Sequence, residues 1–355
     1  MFKSTSKDVI YTDAAFKKFG DENGYLLAQV PFHRSRKSFF PFLLGRIPEW
    51  RSFFSNTWLK QNIHSFYSKI YVFVYSFECV RFATWISKKK KLPLIIHLAD
   101  HSSEFESPLA QKFLMKASKL VCISEEMKFR YEQLLGRKDI KVLHNGAESA
   151  CFNIPSPKKF NFSEENPFRV CFIGGLFSYL HGECIEDIFK AIQDIRKNKP
   201  WVEFHLYGQR QPEYFLDNFI SFEGCYHHGI VMPLEKKFEI MMQASCFVIP
   251  SSFNGFHNSS YRYSFPTKLP ELIACGRPIV SYGPKNTATN RILEKNNIGI
   301  RLHQRSLEKL SNLLLEVIEN YQSWIIQSEN KRIDHKNQFS ADLIREKFSK
   351  ILEIA

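Results

Sequence analysis

Short, β-rich apolar runs alternate with stretches of helical period along the whole chain. Runs at 9–11, 70–75, 93–98, 120–123 and 141–143 in the first half read as strands, as do runs at 169–173, 203–207, 220–222, 246–249, 278–282 and 299–302 in the second. Near-continuous apolar strands alternating with helices are the pattern of parallel sheets covered on both faces. Between the halves, 150–167 carries Pro155, Pro157 and Pro167 with several Ser and Asn and no sustained period, which is the composition of a linker. From Ser340, the residues Ile344, Phe348, Ile351 and Leu352 recur at helical spacing. The pattern therefore predicts an α/β chain: a Rossmann-like domain over 1–150, a linker over 151–167, a second Rossmann-like domain over 168–339 and a terminal helix over 340–355. Ligands of open α/β sheets bind at the C-terminal ends of the strands, so a cleft between the two sheets is the expected site.

The stretch Ser264 to Pro284 holds the densest candidate chemistry. Proline is tolerated in a first helical turn, where its missing N–H has no partner to lose, so Pro266 and Pro270 predict a helix N-terminus close to Thr267. Free N–H groups there suit a phosphate and Lys268 adds a positive charge. Glu271, three residues on, shares its helix face and offers two acceptor oxygens to sugar hydroxyls. A solvated Lys–Glu pair on an ordinary αβ unit is the bland alternative. Gly276, Arg277 and Pro278 then end the helix before a buried strand. A second glycine feature, Gly174-Gly175 after the run at 169–173, lets backbone approach a ligand closely or makes a plain tight turn.

With its continuation, this segment resembles the donor-binding segment of GT-B glycosyltransferases, specifically the retaining group called glycosyltransferase family 4, and the resemblance covers about the last three quarters of the chain. It implies the GT-B fold, two Rossmann-like domains facing an interdomain cleft, with the terminal helix over 340–355 returning to the N-terminal domain. It also implies that Gly174 and Gly175 form the donor phosphate loop. Members usually follow that loop with an Arg and a Lys on the diphosphate; this chain has Phe177-Ser178-Tyr179-Leu180-His181-Gly182 instead. The cationic role then falls on Lys268, with Arg210 as a helper. Of the family's two glutamates, Glu271 matches the second, on the ribose, whereas Tyr263 stands at the first. The resemblance implies that Tyr263, Ser264 and nearby backbone, with Pro266 and Thr267, hold sugar and diphosphate.

In the first half, the run Ile95-Ile96-His97-Leu98-Ala99-Asp100-His101-Ser102 is a strand with polar groups at its exit. A His or Asp there can orient or deprotonate an acceptor hydroxyl, although His97 alone reads more readily as a core histidine. The run resembles the family's His-x-x-Asp segment, so His97, Asp100 and Lys268 are the expected catalytic residues. Ser124-Glu125-Glu126 reads as a helix cap with acids in the first turn, and it and His144-Asn145-Gly146 also match the family.

The chain has 355 residues, enough for two cores, with 44% hydrophobic and 24% charged residues. A net charge of +13 predicts attraction to an anionic partner. The eight cysteines form no C-x-x-C pair and several sit in apolar runs, which predicts buried free thiols in a reducing cytoplasm. No signal-peptide core opens the chain, and the most apolar stretch, 70–86, is interrupted by Glu78 and Arg81. There is no Asp-x-Asp to anchor a metal–diphosphate, and no P-loop, G-x-S-x-G or H-E-x-x-H.

The basic aromatic region between Phe32 and Tyr75, with Arg34, Arg36, Lys37, Arg46 and Arg51, suits an anionic membrane surface, and equally a solvated basic face. Single-stranded nucleic acid ranks third, since no RNA-binding motif accompanies it. The expected function is transfer of a sugar from a nucleotide-sugar co-substrate, without cofactor or metal, to a hydroxyl of a glycan, lipid-linked or polysaccharide acceptor in cell-surface glycan synthesis. The expected location is cytoplasmic, peripheral on the inner face of the membrane. A GT-B nucleotide-sugar epimerase and a non-catalytic binding protein of the same fold are the alternatives.

Overall fold

The structure is a computed structural model that describes residues 10–11, 28–29, 69–74, 77–158, 160–209, 222–231, 234–254 and 262–353. The chain divides into two compact units, one made of 1–97, 108–120 and 355, the other of 98–107 and 121–354.

In the first unit, β1 (Ile10–Tyr11) pairs in parallel with β2 (Ala28–Gln29). Strand β3 (Ile70–Val74), helix α1 (Phe77–Lys90) and strand β4 (Leu94–Leu98) follow, with the start of β5 (Lys119–Cys122) next to β4 in the sheet. Val74, Val80, Ile95 and Ile96 are fully buried, and β4 is buried at every position, as its near-continuous apolar run predicts. Helix α1 ends on Lys88, Lys89 and Lys90, cations that complement the negative end of its dipole.

The second unit takes the end of β5, helix α2 (Glu125–Leu135) and β6 (Lys141–Val142), with Val121 opposite Lys141 in parallel register. Its main sheet has six strands in the order β12-β11-β10-β7-β8-β9. These are β7 (Phe168–Ile173), β8 (Val202–Tyr207), β9 (Cys225–His227), β10 (Cys246–Pro250), β11 (Ile279–Tyr282) and β12 (Ile300–Leu302), and every neighbouring pair is parallel. Helix α3 (Ser178–Arg196) crosses from β7 to β8 and buries Ile185, Ile188, Phe189 and Ile192 against Val170, Phe172, Phe204 and Leu206. Each such side chain taken from water stabilises the fold by about 1.5–3 kcal/mol. The helices α4 (Leu307–Glu319) and α5 (Tyr321–Asp334) close the same core through Leu310, Leu314 and Tyr321.

The chain runs outward from β7 through β8 to β9 and then returns to β10, on the other side of β7. The direction of winding reverses between β7 and β10, and that switch point is where open α/β sheets bind ligands. The fold class read from the sequence, parallel α/β sheets in two domains, is the one observed. One strand was not expected: β9 lies at Cys225–His227, while most of the run expected at 220–222 falls outside the described residues. Residues 220 and 221 lie outside the described residues, Phe222 is 40% exposed, and Gly224 turns the chain with φ +80° just before the strand. As an edge strand with Tyr226 exposed, β9 lacks the apolar run that marks its neighbours. The terminal helix, α6 (Ala341–Glu353), buries Ile344, Phe348 and Ile351 as their spacing predicts.

Candidate functional site

Arg262 and Tyr263 are helical, and the chain then runs through half-buried Ser264, buried Phe265, half-buried Pro266 and exposed Thr267. The Pro266 carbonyl accepts the Leu269 N–H at 3.0 Å, and the helix α7 spans Leu269–Ala274 with Lys268 as N-cap and Pro270 in its first turn. It therefore starts two residues later than the prolines predict. Pro266 shapes the turn before the helix, and Pro270 alone occupies the position where a missing N–H is harmless. Leu269, Pro270, Leu272, Ile273 and Ala274 are buried, leaving Glu271 as the polar side chain of this helix. Gly276, at φ +68°, closes it, and the buried Arg277 donates to the carbonyls of Ala244 at 3.1 Å and Pro155 at 2.9 Å.

Glu271 does not stand open. Its Oε2 accepts from Lys237 Nζ, on helix α8 (Leu234–Gln243), and the two side chains are 20% and 17% exposed. Lys268 is half-buried beside them, and its pKa is lowered by burial and by Lys237 against the opposing pull of Glu271. Sequence reasoning missed Lys237. The signal was present, because Lys237 falls in line with Ile240, Met241 and Ala244, the buried stripe of its helix.

Tyr263 and Ser264 dock onto residues far away in sequence. Ser124 caps α2 by accepting the Met127 N–H at 3.0 Å and donates its hydroxyl to the Tyr263 carbonyl. The His101 ring lies 4.7 Å from the Tyr263 ring, and its backbone N–H points to Ser264 Oγ at 3.5 Å. Asp100 is hydrogen-bonded to the Ser264 side chain; although the residue is exposed, the protein packed about its carboxyl raises its pKa and Ser264 opposes the rise. The sequence reading assigns Asp100 to the acceptor and Ser264 to the donor, and the structure joins them in one unit.

His97 is 1% exposed in the first unit, with Nδ1 at 2.6 Å from the Tyr71 hydroxyl and its ring edge-on to Phe73 at 4.9 Å. His101 is equally buried, with Nδ1 3.2 Å from the Tyr131 hydroxyl; burial lowers its pKa, and nearby Glu106 opposes the fall.

Gly174 and Gly175 end β7 at the switch point. A Cβ on Gly208, at the end of β8, would fall 1.5 Å from the Gly174 carbonyl oxygen, and one on Gly175 would fall 2.4 Å from the Phe177 ring. Glycine at Gly208 thus serves the chain's own packing, whereas at Gly175 only the Phe177 side chain stands in the way. Glu183 of α3 steadies the neighbouring β10 loop, accepting from Ser252 Oγ at 2.6 Å and the Asn254 N–H at 2.8 Å. Burial acts to raise its pKa, but these bonds hold it low. Arg210 and the cations from Arg34 to Arg51 lie outside the described residues.

A cavity of about 490 Å³ opens in the second unit, walled by Ser124, Glu126, His144, Phe265, Arg291 and Lys347 among others. Its polar groups are of both signs, and His144 and Phe265 stack with centroids 4.9 Å apart. Among the described residues, no helix is long and apolar enough to cross a membrane.

No curated protein sequence matches the chain. Among solved structures, the chain is similar to Anabaena HepE in complex with UDP-glucose, at 17% identity and TM-score 0.69, covering 97% of this chain and 90% of that one. It is similar to a glycosyltransferase from Rickettsia africae at 13% identity and TM-score 0.64, covering 93% and 84%. The lipopolysaccharide outer core galactosyltransferase WaaB gives 16% identity and TM-score 0.59, covering 93% and 85%. These likenesses are likenesses of fold, the GT-B arrangement of parallel-sheet domains. Residues 167–320, which carry the six-stranded sheet and α7, match the family Glycosyl transferases group 1.

Proposed function

We propose that this protein is a glycosyltransferase that moves a sugar from a nucleotide-sugar donor to a hydroxyl of a glycan, lipid-linked or polysaccharide acceptor. The observation that carries the reading is the half-buried pair Lys268 and Glu271, a cation and a carboxylate side by side at the start of α7. The family match over 167–320 and the glycosyltransferase neighbours, one of them a UDP-glucose complex, support it.

In this reaction the bond between the anomeric carbon and the diphosphate oxygen breaks, and the acceptor oxygen bonds to that carbon. The acceptor proton passes to the departing diphosphate. Lys268 stabilises the negative charge that develops on the leaving group, a role that preorganised charge in a partly dehydrated site performs well. Glu271 accepts from ribose hydroxyls, Tyr263 and Ser264 line the sugar, and Asp100 orients the acceptor hydroxyl. The cavity beside Phe265 offers the acceptor a wall of mixed charge and stacked rings. Retention of configuration, independence of added metal, membership of glycosyltransferase family 4, a part in cell-surface glycan synthesis and peripheral membrane attachment belong to the same proposal.

Incubation with UDP-, GDP- and ADP-sugars tests it, with released nucleotide and changed sugar followed together. Nucleotide release that rises with added acceptor is expected. Appearance of an epimer would replace the reading by an epimerase, and binding without turnover by a non-catalytic protein.

A further inference from the structure

We propose that Lys237 is a diphosphate-binding residue of the donor site, sharing Glu271 with Lys268 in the unliganded protein and turning to the phosphates when the donor enters. The inference rests on the donor reading above and adds to it a residue from a different helix.

Two ammonium groups, those of Lys237 and Lys268, lie within electrostatic reach of one carboxylate, that of Glu271. One carboxylate cannot neutralise both, so among the described residues the cluster holds more positive than negative charge, where Lys237 and Glu271 are each about four-fifths buried. Burying an unbalanced charge is unfavourable, and the lowered pKa of Lys268 records that cost. The position of Lys237 makes the imbalance harder to explain as packing. It stands in line with buried Ile240 and Met241 of α8 and with buried Ala244 just past its end, on the side of the helix that otherwise buries apolar residues. An anion completes the cluster. A diphosphate does so with several acceptor oxygens, and it lets Lys237 exchange one charge-assisted bond for another while Glu271 is released to hydroxyl donors. Phe177 and the first residues of α3, Ser178-Tyr179-Leu180-His181-Gly182, which follow the Gly174-Gly175 loop, include no Arg or Lys.

The competing role is positional: Lys237 fixes the Glu271 rotamer and never touches phosphate. The two differ in what they do to the β-phosphate. The full-length protein, with Lys237→Met and Lys237→Arg, is titrated calorimetrically with UDP, GDP and ADP and with the matching monophosphates. The expected result is that Lys237→Met weakens binding of the diphosphate by at least about tenfold, binding of the monophosphate by much less, and flattens the salt dependence of diphosphate binding. Lys237→Arg keeps the preference for diphosphate. Equal losses for mono- and diphosphate would overturn the inference and leave Lys237 a positioning residue. Should Lys237→Met not fold, Lys237→Gln, which keeps a polar side chain but not the charge, is titrated in its place and judged by the same comparison of mono- and diphosphate. A wild-type protein that binds no nucleoside diphosphate would bring down the donor reading itself, and the inference with it.

Discussion

Glu271→Gln keeps the side-chain volume and one oxygen acceptor but removes the negative charge that Lys237 contacts. Its effect on folding is bounded by exposure. An exposed ion pair is worth about 0–1 kcal/mol, whereas breaking a fully buried one costs about 3–5 kcal/mol. With the partners 20% and 17% exposed, a loss of about 1–3 kcal/mol in unfolding free energy is expected. Its effect on donor binding has another source: a hydrogen bond to a charged group contributes about 1.5–3 kcal/mol, which is about ten- to a hundredfold in Kd. The two are read separately, stability by urea unfolding and UDP affinity by calorimetry at a temperature where the variant is fully folded. A variant that loses stability while its UDP Kd stays within about twofold of wild type would refute the assignment of Glu271 to the ribose. It would leave the carboxylate as nothing more than the counter-ion of Lys237.

Three further predictions follow from other parts of the molecule. Asp100→Ala removes the partner of the Ser264 side chain, so it should lower transfer and also weaken UDP binding by about two- to tenfold; unchanged UDP affinity would show that this contact does not bear on the donor. Burial pushes His181 down to about 4, against the bond to the Pro250 carbonyl, while an unfolded imidazole titrates near 6.5, so in between the unfolded state binds more protons. Stability should therefore fall as pH drops from about 6.5 to about 4, and a His181→Gln variant with the same acid slope would contradict this. Flotation with anionic and neutral vesicles, run beside a single-stranded oligonucleotide shift, tests the basic aromatic region: salt-sensitive enrichment on anionic vesicles, lost when Arg34, Arg36 and Arg51 are reversed in charge, is expected, and no enrichment would end the membrane proposal.

The parallel strands were legible because strands buried on both faces read as near-continuous apolar runs, as in Cys246–Pro250 and, apart from hydrogen-bonded His97, Leu94–Leu98, each buried throughout. The edge strand Cys225–His227 escaped for the same reason in reverse, since exposed Tyr226 breaks the run. The core of the candidate site was legible as a local pattern, Lys268 and Glu271 three residues apart. What lay beyond it was not. Lys237 is 34 residues from Glu271, and Ser124 is 139 residues from Tyr263; no local period encodes such meetings. The glycines read differently again, because Gly208 lies so close to the Gly174 carbonyl oxygen that its lack of a side chain has a packing reason beside any ligand.

Those long-range contacts bear on how the proposed site works. The chain leaves β10 through Ser252 and Asn254, held by the Glu183 carboxylate, and is held again at Tyr263 and Ser264 by Ser124, His101 and Asp100. The described flanks of the segment ahead of Lys268 are thus fixed by side chains from three different elements. Transfer that relies on stabilising a leaving group gains most when the stabilising groups are in place before the substrate arrives, since a displacement of about 1 Å can cost about a hundredfold in rate. Loosening either flank should then lower turnover more than donor affinity. On this argument the residues that matter for rate extend past Lys268 and Glu271 to Glu183 and Ser124, neither of which need touch the donor.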